Sequence, residues 1–412
     1  MRLTIFNPSY PSMGMTDFNF QITHKAEQGS AHCGLLTTPH GTIQTPNFIF
    51  CATHGAIKGA TMECIKATGA QCVLGNTYHL WLQPGPSIVE KHGGLHRFVG
   101  WDGPMLTDSG GFQIFSLGHG GIVDEIKGKA HSSNHHPKSL LKVSEEGALF
   151  RSYIDGSQCW LTPERSILIQ QKLGADFILP LDECTPFHME KEQTARSMER
   201  SHRWEARGVQ QYLRTYNSQQ RLYGIVQGGI YEDLRKESID FINSQPFFGQ
   251  AIGGSLGGSK EQMYEVVQFT MQGLNNGRPT HLLGIGGLSD IIAGVNSGID
   301  TFDCVHPTRI ARHGCALVQT SEDPTREHIN LKNHRYEEDL NPIDSQCDCY
   351  TCRNFSRAYL HHLFKAKEST GGLLLTIHNA RFMVRWMEAI RHAIQTGTWH
   401  QFMQAHARAM HV

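Results

Sequence analysis

Short apolar runs that stop abruptly at glycine or a polar residue recur along most of the chain. They are PNFIFCAT (46–53), QCVLGNT (71–77), PMLTDSGG (104–111), DFILPLDE (176–183), RLYGIVQGG (221–229), GQAIGGS (249–255), THLLGIGG (280–287) and IDTFDCV (299–305). Runs bounded in this way predict buried parallel strands. Between them lie stretches of helical period. In 166–173 the apolar positions are Ile167, Ile169 and Leu173; in 263–274 Met263, Val266, Val267, Met271 and Leu274 recur at three- and four-residue steps. Eight strands alternating with helices predict an α/β fold, a closed (β/α)8 TIM-type barrel, in preference to a doubly wound sheet. GIGG (284–287) alone does not make a dinucleotide-binding turn.

Two regions break the alternation. Between 120 and 161 the pattern turns antiparallel, with ALFRSYIDGSQCWL (148–161) centred on the turn pair Asp155-Gly156. The polar stretch KGKAHSSNHHPKS (127–139) before it reads as a solvated insertion. The second break, 311–378, carries a cysteine cluster. After it, 381–394 places Met383, Trp386, Met387, Ile390 and Ile394 on one face, as expected of a helix closing the barrel. The expected organisation is an N-terminal extension (1–20), a catalytic barrel (21–310), a small metal-binding subdomain (311–378), and a closing helix with a tail (379–412).

Composition narrows the class without naming a partner. The 412 residues are 39% hydrophobic and 18% charged, which excludes intrinsic disorder. No apolar stretch approaches the ~20 residues that span a bilayer. The opening residues lack the continuous apolar core of a signal peptide, so a cytoplasmic protein without membrane contact is expected. Lys and Arg total 37 against 38 Asp and Glu, so bulk charge gives no sign of nucleic-acid binding. Eleven cysteines, an odd number, point to reduced thiols.

In a parallel barrel, chemistry collects at the C-terminal strand ends. Those ends are Asn76, Asp108-Ser109, Asp182-Glu183, Gln227, Gly254, Gly284 and Asp303. A single aspartate there could simply cap the next helix. Carboxylates at three ends of one barrel suggest a shared site instead, suited to cleavage at an anomeric carbon, where one carboxylate attacks and another moves a proton. Separately, Cys347, Cys349 and Cys352 crowd into six residues and suggest a metal site; its fourth ligand could come from His361, His362 or His378.

Five motifs then occur together and in order: TDSGGFQ (107–113), LDECTP (181–186), GIVQGG (224–229), FDCVHPTR (302–309) and CDCYTC followed by His378. In these the chain resembles the tRNA-guanine transglycosylases, the queuine tRNA-ribosyltransferase family of bacterial type, over roughly residues 20–412. The resemblance implies a pentosyltransferase that replaces guanine at the wobble position of tRNA with a 7-deazaguanine base, preQ1 or queuine, in queuosine biosynthesis. By the same resemblance Asp303 is the nucleophile on the ribose and Asp108 the general acid/base. Asp108, Ser109, Gly110, Gly111, Phe112, Asp182, Gln227, Gly254 and Leu283 would surround the base, with Phe112 standing where many relatives have tyrosine. RNA contacts are implied for Gly284, Ile285, Gly286, Gly287, Leu288, Ser289 and Asp290, and for Thr308, Arg309, Ile310, Ala311 and Arg312. The metal ligands would be Cys347, Cys349, Cys352 and His378, holding one structural zinc per subunit, and a homodimer is implied.

One segment departs from the bacterial pattern. In IGGSLGGS (252–259), Gly257 stands where bacterial relatives carry valine, as in eukaryotic relatives that use queuine; Cys184 keeps the bacterial residue. Two rival functions remain to be weighed. A barrel glycoside hydrolase would use Asp108 and Asp303 but leave Gln227, the cysteine cluster and the arginines without a task. A non-catalytic tRNA-binding partner subunit would be expected to have lost one of the two aspartates.

Overall fold

The computed structural model describes residues 18–118, 139–186, 188–319 and 327–407. Residues 127–138 of the insertion at 127–139 and most of the N-terminal extension lie outside them. Each of the eight apolar runs contributes one strand to a single closed barrel. In order the strands are Asn47–Ala52, Val73–Gly75, Met105–Thr107, Phe177–Ile178, Arg221–Val226, Gly249–Ile252, Thr280–Leu282 and Thr301–Asp303. All barrel pairings are parallel, and the eighth strand closes on the first with Thr301 opposite Asn47. The strands are shorter than the runs, because each run continues past its last ladder bond into a loop. That overhang is what projects Asp108, Asp182, Gln227 and Gly254 beyond the sheet.

Helices form where the periodicity placed them. Pro163–Leu173 opens with Thr162 accepting from the Arg165 N–H and stops at Gly174, whose φ of 76° is left-handed. Lys260–Gly273 is capped by Ser259. The hairpin around Asp155-Gly156 pairs Gly147–Arg151 with Gln158–Leu161, and Leu140–Ser144 adds a third antiparallel strand.

A second antiparallel sheet, Asn19–Lys25, His32–Thr38 and Gly41–Thr45, has no counterpart in the sequence expectation, and its first strand runs across the junction drawn at 20/21. It plugs the barrel floor. Leu36 and Ile43 pack among Ile49, Leu74, Leu106, Phe177 and Tyr223 of the barrel interior. Asp300, just ahead of the eighth strand, accepts hydrogen bonds from Thr45 Oγ1 (3.2 Å) and pairs with His32 (3.0 Å). Asp176, ahead of the fourth strand, pairs with His40 (2.7 Å) and His96 (3.2 Å). With the N-terminal end sealed, the opposite mouth is left for chemistry.

The C-terminal helix Ser369–Gln395 is one continuous element, so the junction placed at 378/379 falls inside it. Its first half packs into the cysteine-bearing cluster through Leu374, Leu375 and Ile377; its second half packs on the barrel through Met383, Trp386, Met387 and Ile390. Asn379 ties the two units: its amide donates to the Pro307 (2.9 Å) and Cys315 (3.1 Å) carbonyls while its oxygen accepts from the Leu317 N–H. Among the described residues no helix is long and apolar enough to cross a membrane.

Candidate active site and metal centre

Asp303 is the last residue of the eighth strand and is largely buried. Its Oδ1 accepts from the Gly284 N–H at 2.9 Å and lies 3.1 Å from His281 Nε2; its Oδ2 accepts from the Cys51 thiol at 3.5 Å. His281 in turn contacts Thr301 Oγ1 through Nδ1 at 2.9 Å. The carboxylate is therefore held by groups from the first strand, the seventh strand and the loop that follows the seventh. Gly284 can bring its N–H there because its φ of 72° turns the chain back over the strand end.

Asp108 follows the third strand. It accepts from the Asn76 side-chain amide (2.5 Å) and the Thr77 N–H (2.8 Å), both supplied by the loop after the second strand. Burial pushes its carboxyl up to about 7; the Thr77 and Gly110 N–H groups and Gln113 pull downward, and the nearby charge of Asp303 adds to the rise. Two carboxyls of one mouth thus sense each other, the condition that separates an acid from a nucleophile.

Asp182 forms the third corner. Its Oδ1 accepts from Ser109 Oγ (3.2 Å) and its Oδ2 from Gln227 Nε2 (2.7 Å). Burial raises this carboxyl to about 6 against those two hydrogen bonds. Ser109 also receives the Gly111 N–H (3.1 Å), which fixes the tight turn Gly110-Gly111. A side chain at Gly111 would stand 2.7 Å from the Asp182 carbonyl, so only glycine fits. Phe112, in the first turn of the following helix, is 37% exposed, which removes it from the core and leaves its ring face available. Gly254, with φ of 72°, sits against Gln227, and Leu283 lies partly buried beside Gly253.

The two expected RNA segments are less uniform. Of the first, Gly284 is exposed, whereas Gly286, Leu288 and Ser289 are buried; Gly286 packs on Cys304 and Phe48. Ile285 and Gly287 are partly buried, and Asp290 accepts from Tyr264 OH at 2.8 Å. In the helix His306–Arg312, Thr308 and Ala311 are buried, Arg309 and Ile310 are partly exposed, and Arg312 is exposed. Among the described residues neither arginine has an ion pair; Arg312 Nε donates to the Thr308 carbonyl (3.4 Å), and both guanidinium groups keep further donors for an outside acceptor.

Away from the mouth, Cys347, Cys349, Cys352 and His378 are all buried, with potential ligand atoms within 4.8 Å of one another. His378 is set for coordination: Nε2 lies 2.8 Å from the Leu317 carbonyl, which fixes the ring and turns Nδ1 to Cys352 (3.3 Å) and Cys349 (3.8 Å). Three thiols and an imidazole fit a closed tetrahedral metal site. His361 is excluded as the fourth ligand by its place, since it hydrogen-bonds the Leu331 carbonyl instead.

Three residues escaped the sequence reading. His281 looked like part of an apolar strand, and Cys51 like one scattered cysteine among many. Arg235 lies in EDLRKES, which reads as a solvated helix face; only its burial distinguishes it.

A closed parallel barrel with interacting carboxyls at its open mouth and a separate unit able to hold a metal ion defines a (β/α)8-barrel protein with a candidate acid/base site. The family described as queuine tRNA-ribosyltransferase matches residues 27–412. Similar proteins of that name come from Roseiflexus sp. (strain RS-1), 48% identical over 95% of this chain and 98% of the relative, and from Protochlamydia amoebophila (strain UWE25), 45% identical over 92% and 96%. Another, from Aromatoleum aromaticum (strain DSM 19018 / LMG 30748 / EbN1), is 46% identical over 90% and 94%. The chain belongs to the queuine tRNA-ribosyltransferase family, in its bacterial form.

Proposed function

We propose that the protein exchanges guanine at the tRNA wobble position for a 7-deazaguanine base by double displacement. The observation that carries the reading is that Asp303, its carboxylate held by the Gly284 N–H, shares the barrel mouth with Asp108 closely enough for its charge to help raise that carboxyl to about 7. Asp303 attacks C1′ of the ribose while Asp108 gives its proton to the departing guanine, so the RNA is held as a covalent ester. The incoming base then surrenders a proton to the Asp108 carboxylate and displaces Asp303 from C1′. Microscopic reversibility makes one residue serve both directions.

Asp182 offers only acceptors when ionised and suits the amino and ring N–H edge of a guanine-like base; Gln227 and the Gly254 N–H address its carbonyl side, and Phe112 stacks on its face. Arg309 and Arg312 grip the RNA around the exchanged nucleotide. The metal is zinc, one per subunit, held by Cys347, Cys349, Cys352 and His378; bound there it supplies structure to the subdomain. The protein works in the cytoplasm as a homodimer, one subunit catalysing while the other helps hold the RNA.

The replacement base is preQ1 or queuine. Absence of a branched side chain at Gly257 favours the bulkier queuine, while Cys184 follows the preQ1 pattern. Gly257 has φ of 110°, which by itself calls for glycine, so its backbone supplies a second reason for the residue. Incubation of the protein with tRNA and each labelled base in competition tests the reading: incorporation of either base supports it, and no incorporation of queuine at saturation removes the Gly257 argument.

A further inference from the structure

Arg235 is 1% exposed, on the helix Glu232–Ser244 that packs behind the fifth and sixth strands. Its guanidinium meets no carboxylate among the described residues. It spends its donors on four main-chain carbonyls: Nε on Gly229 (2.7 Å), Nη1 on Val226 (3.2 Å), and Nη2 on Gly253 (3.0 Å) and Ser255 (3.1 Å). Burial draws the group down to about 9, which leaves it charged at neutral pH. A buried cation solvated only by peptide dipoles is costly, and a core built for stability alone would fill the space with an apolar side chain.

The carbonyls it holds explain what it does. In a trans peptide the C=O of one residue and the N–H of the next point in opposite directions. Fixing the Gly253 carbonyl on Arg235 turns the Gly254 N–H away from the guanidinium, and fixing the Ser255 carbonyl does the same for Leu256. Among the described residues neither N–H has a hydrogen-bond acceptor. These are donors left open in a partly or wholly buried loop, next to Gln227, whose Oε1 would lie 2.8 Å from a side chain at Gly254. The same guanidinium also anchors Val226 and Gly229, on either side of Gln227.

We propose that Arg235 is a positioning residue for base selection: by holding the 253–255 peptides in one orientation, it presents the Gly254 and Leu256 N–H groups as a paired donor site for the acceptor edge of a purine-like base. The proposal rests on the transglycosylase reading above and adds the element that sets that pocket's polarity. Lysine at 235 keeps the charge but cannot span four carbonyls with a planar fork.

The test uses the full-length protein, labelled guanine and tRNA. Arg235→Lys raises KM for free guanine about tenfold while leaving kcat at saturating guanine and tRNA within about threefold. A merely structural role would lower the active fraction, hence kcat, and leave KM for guanine unchanged. That result in a folded variant would overturn the proposal. Wild-type protein that transfers no guanine would instead overturn the functional reading on which it rests. Hydrogen exchange of the wild type needs no variant: saturating guanine slows exchange across 253–257, and unchanged exchange there, in protein that transfers guanine, contradicts the donor site.

Discussion

His281 Nε2 lies 3.1 Å from Asp303 Oδ1, with the imidazole held on its far side by Thr301. Both residues are buried at the barrel mouth, so the contact is sheltered from water and fixes the orientation of the carboxylate proposed as the nucleophile. Replacing His281 with Phe keeps a ring of similar shape and removes the hydrogen bond. The expected outcome is a fall in kcat of about tenfold or more with KM for tRNA little changed. Steady-state kinetics on the variant check it.

Asp108 gives the reaction its pH dependence. Its carboxyl sits at about 7, and in the proposed mechanism guanine departs only when that carboxyl carries a proton. As pH rises through 7 the protonated fraction falls, so single-turnover release of guanine from tRNA declines by about tenfold per unit well above that point. Asp108→Asn, which cannot donate an acidic proton, should give a low and pH-independent rate. Rapid-quench measurement of released guanine between pH 5.5 and 9 reads both, with the pH values chosen to bracket about 7.

Asp182 acts in the opposite limb. Its carboxyl lies at about 6 and is ionised above that pH, when it has the acceptor capacity the proposed base contact needs. Below pH 6 it gains a proton and loses acceptor capacity, so KM for the free base should rise as pH falls, before the protein unfolds. Asp182→Asn should show a KM for guanine raised about a hundredfold at neutral pH, because an N–H would face an N–H. A base titration at several pH values is the check.

The metal-binding unit should be separable from the chemistry. Cys349→Ser removes a ligand whose sulfur also caps the helix Tyr350–Asn354. Bound metal, proposed as one zinc per chain, should fall to near none, and the thermal midpoint should drop by at least about 5 °C. Protein that stays folded should keep the wild-type pH profile of guanine release. Metal analysis, calorimetry and the same rapid-quench assay together decide the point.

How far the sequence carried these conclusions depends on what each residue's neighbours are. The barrel strands were legible because parallel strands bury both faces and end sharply at glycine. Asp108, Asp182 and Asp303 stood out because each lies at the end of a barrel run, where chemistry collects in such barrels, and the structure brings all three to one mouth. The N-terminal floor was not, since NFQITHK mixes polar and apolar residues and carries a register shift between Ile22 and His24. Arg235 sits among charges that point to solvent, and nothing local marks it as the one turned inward. The junction at 378/379 was invisible because one helix carries a ligand face and then a barrel face with the same period.

Capture of the RNA–enzyme ester measures the central claim most directly. Wild type, Asp303→Ala and Asp108→Ala are each incubated with labelled tRNA, denatured and run on gels. The account predicts a covalent adduct in the wild type, none in Asp303→Ala, and loss of guanine release in Asp108→Ala. An adduct of wild-type yield in Asp303→Ala would contradict it, as would wild-type protein that binds tRNA yet neither forms the adduct nor exchanges a base.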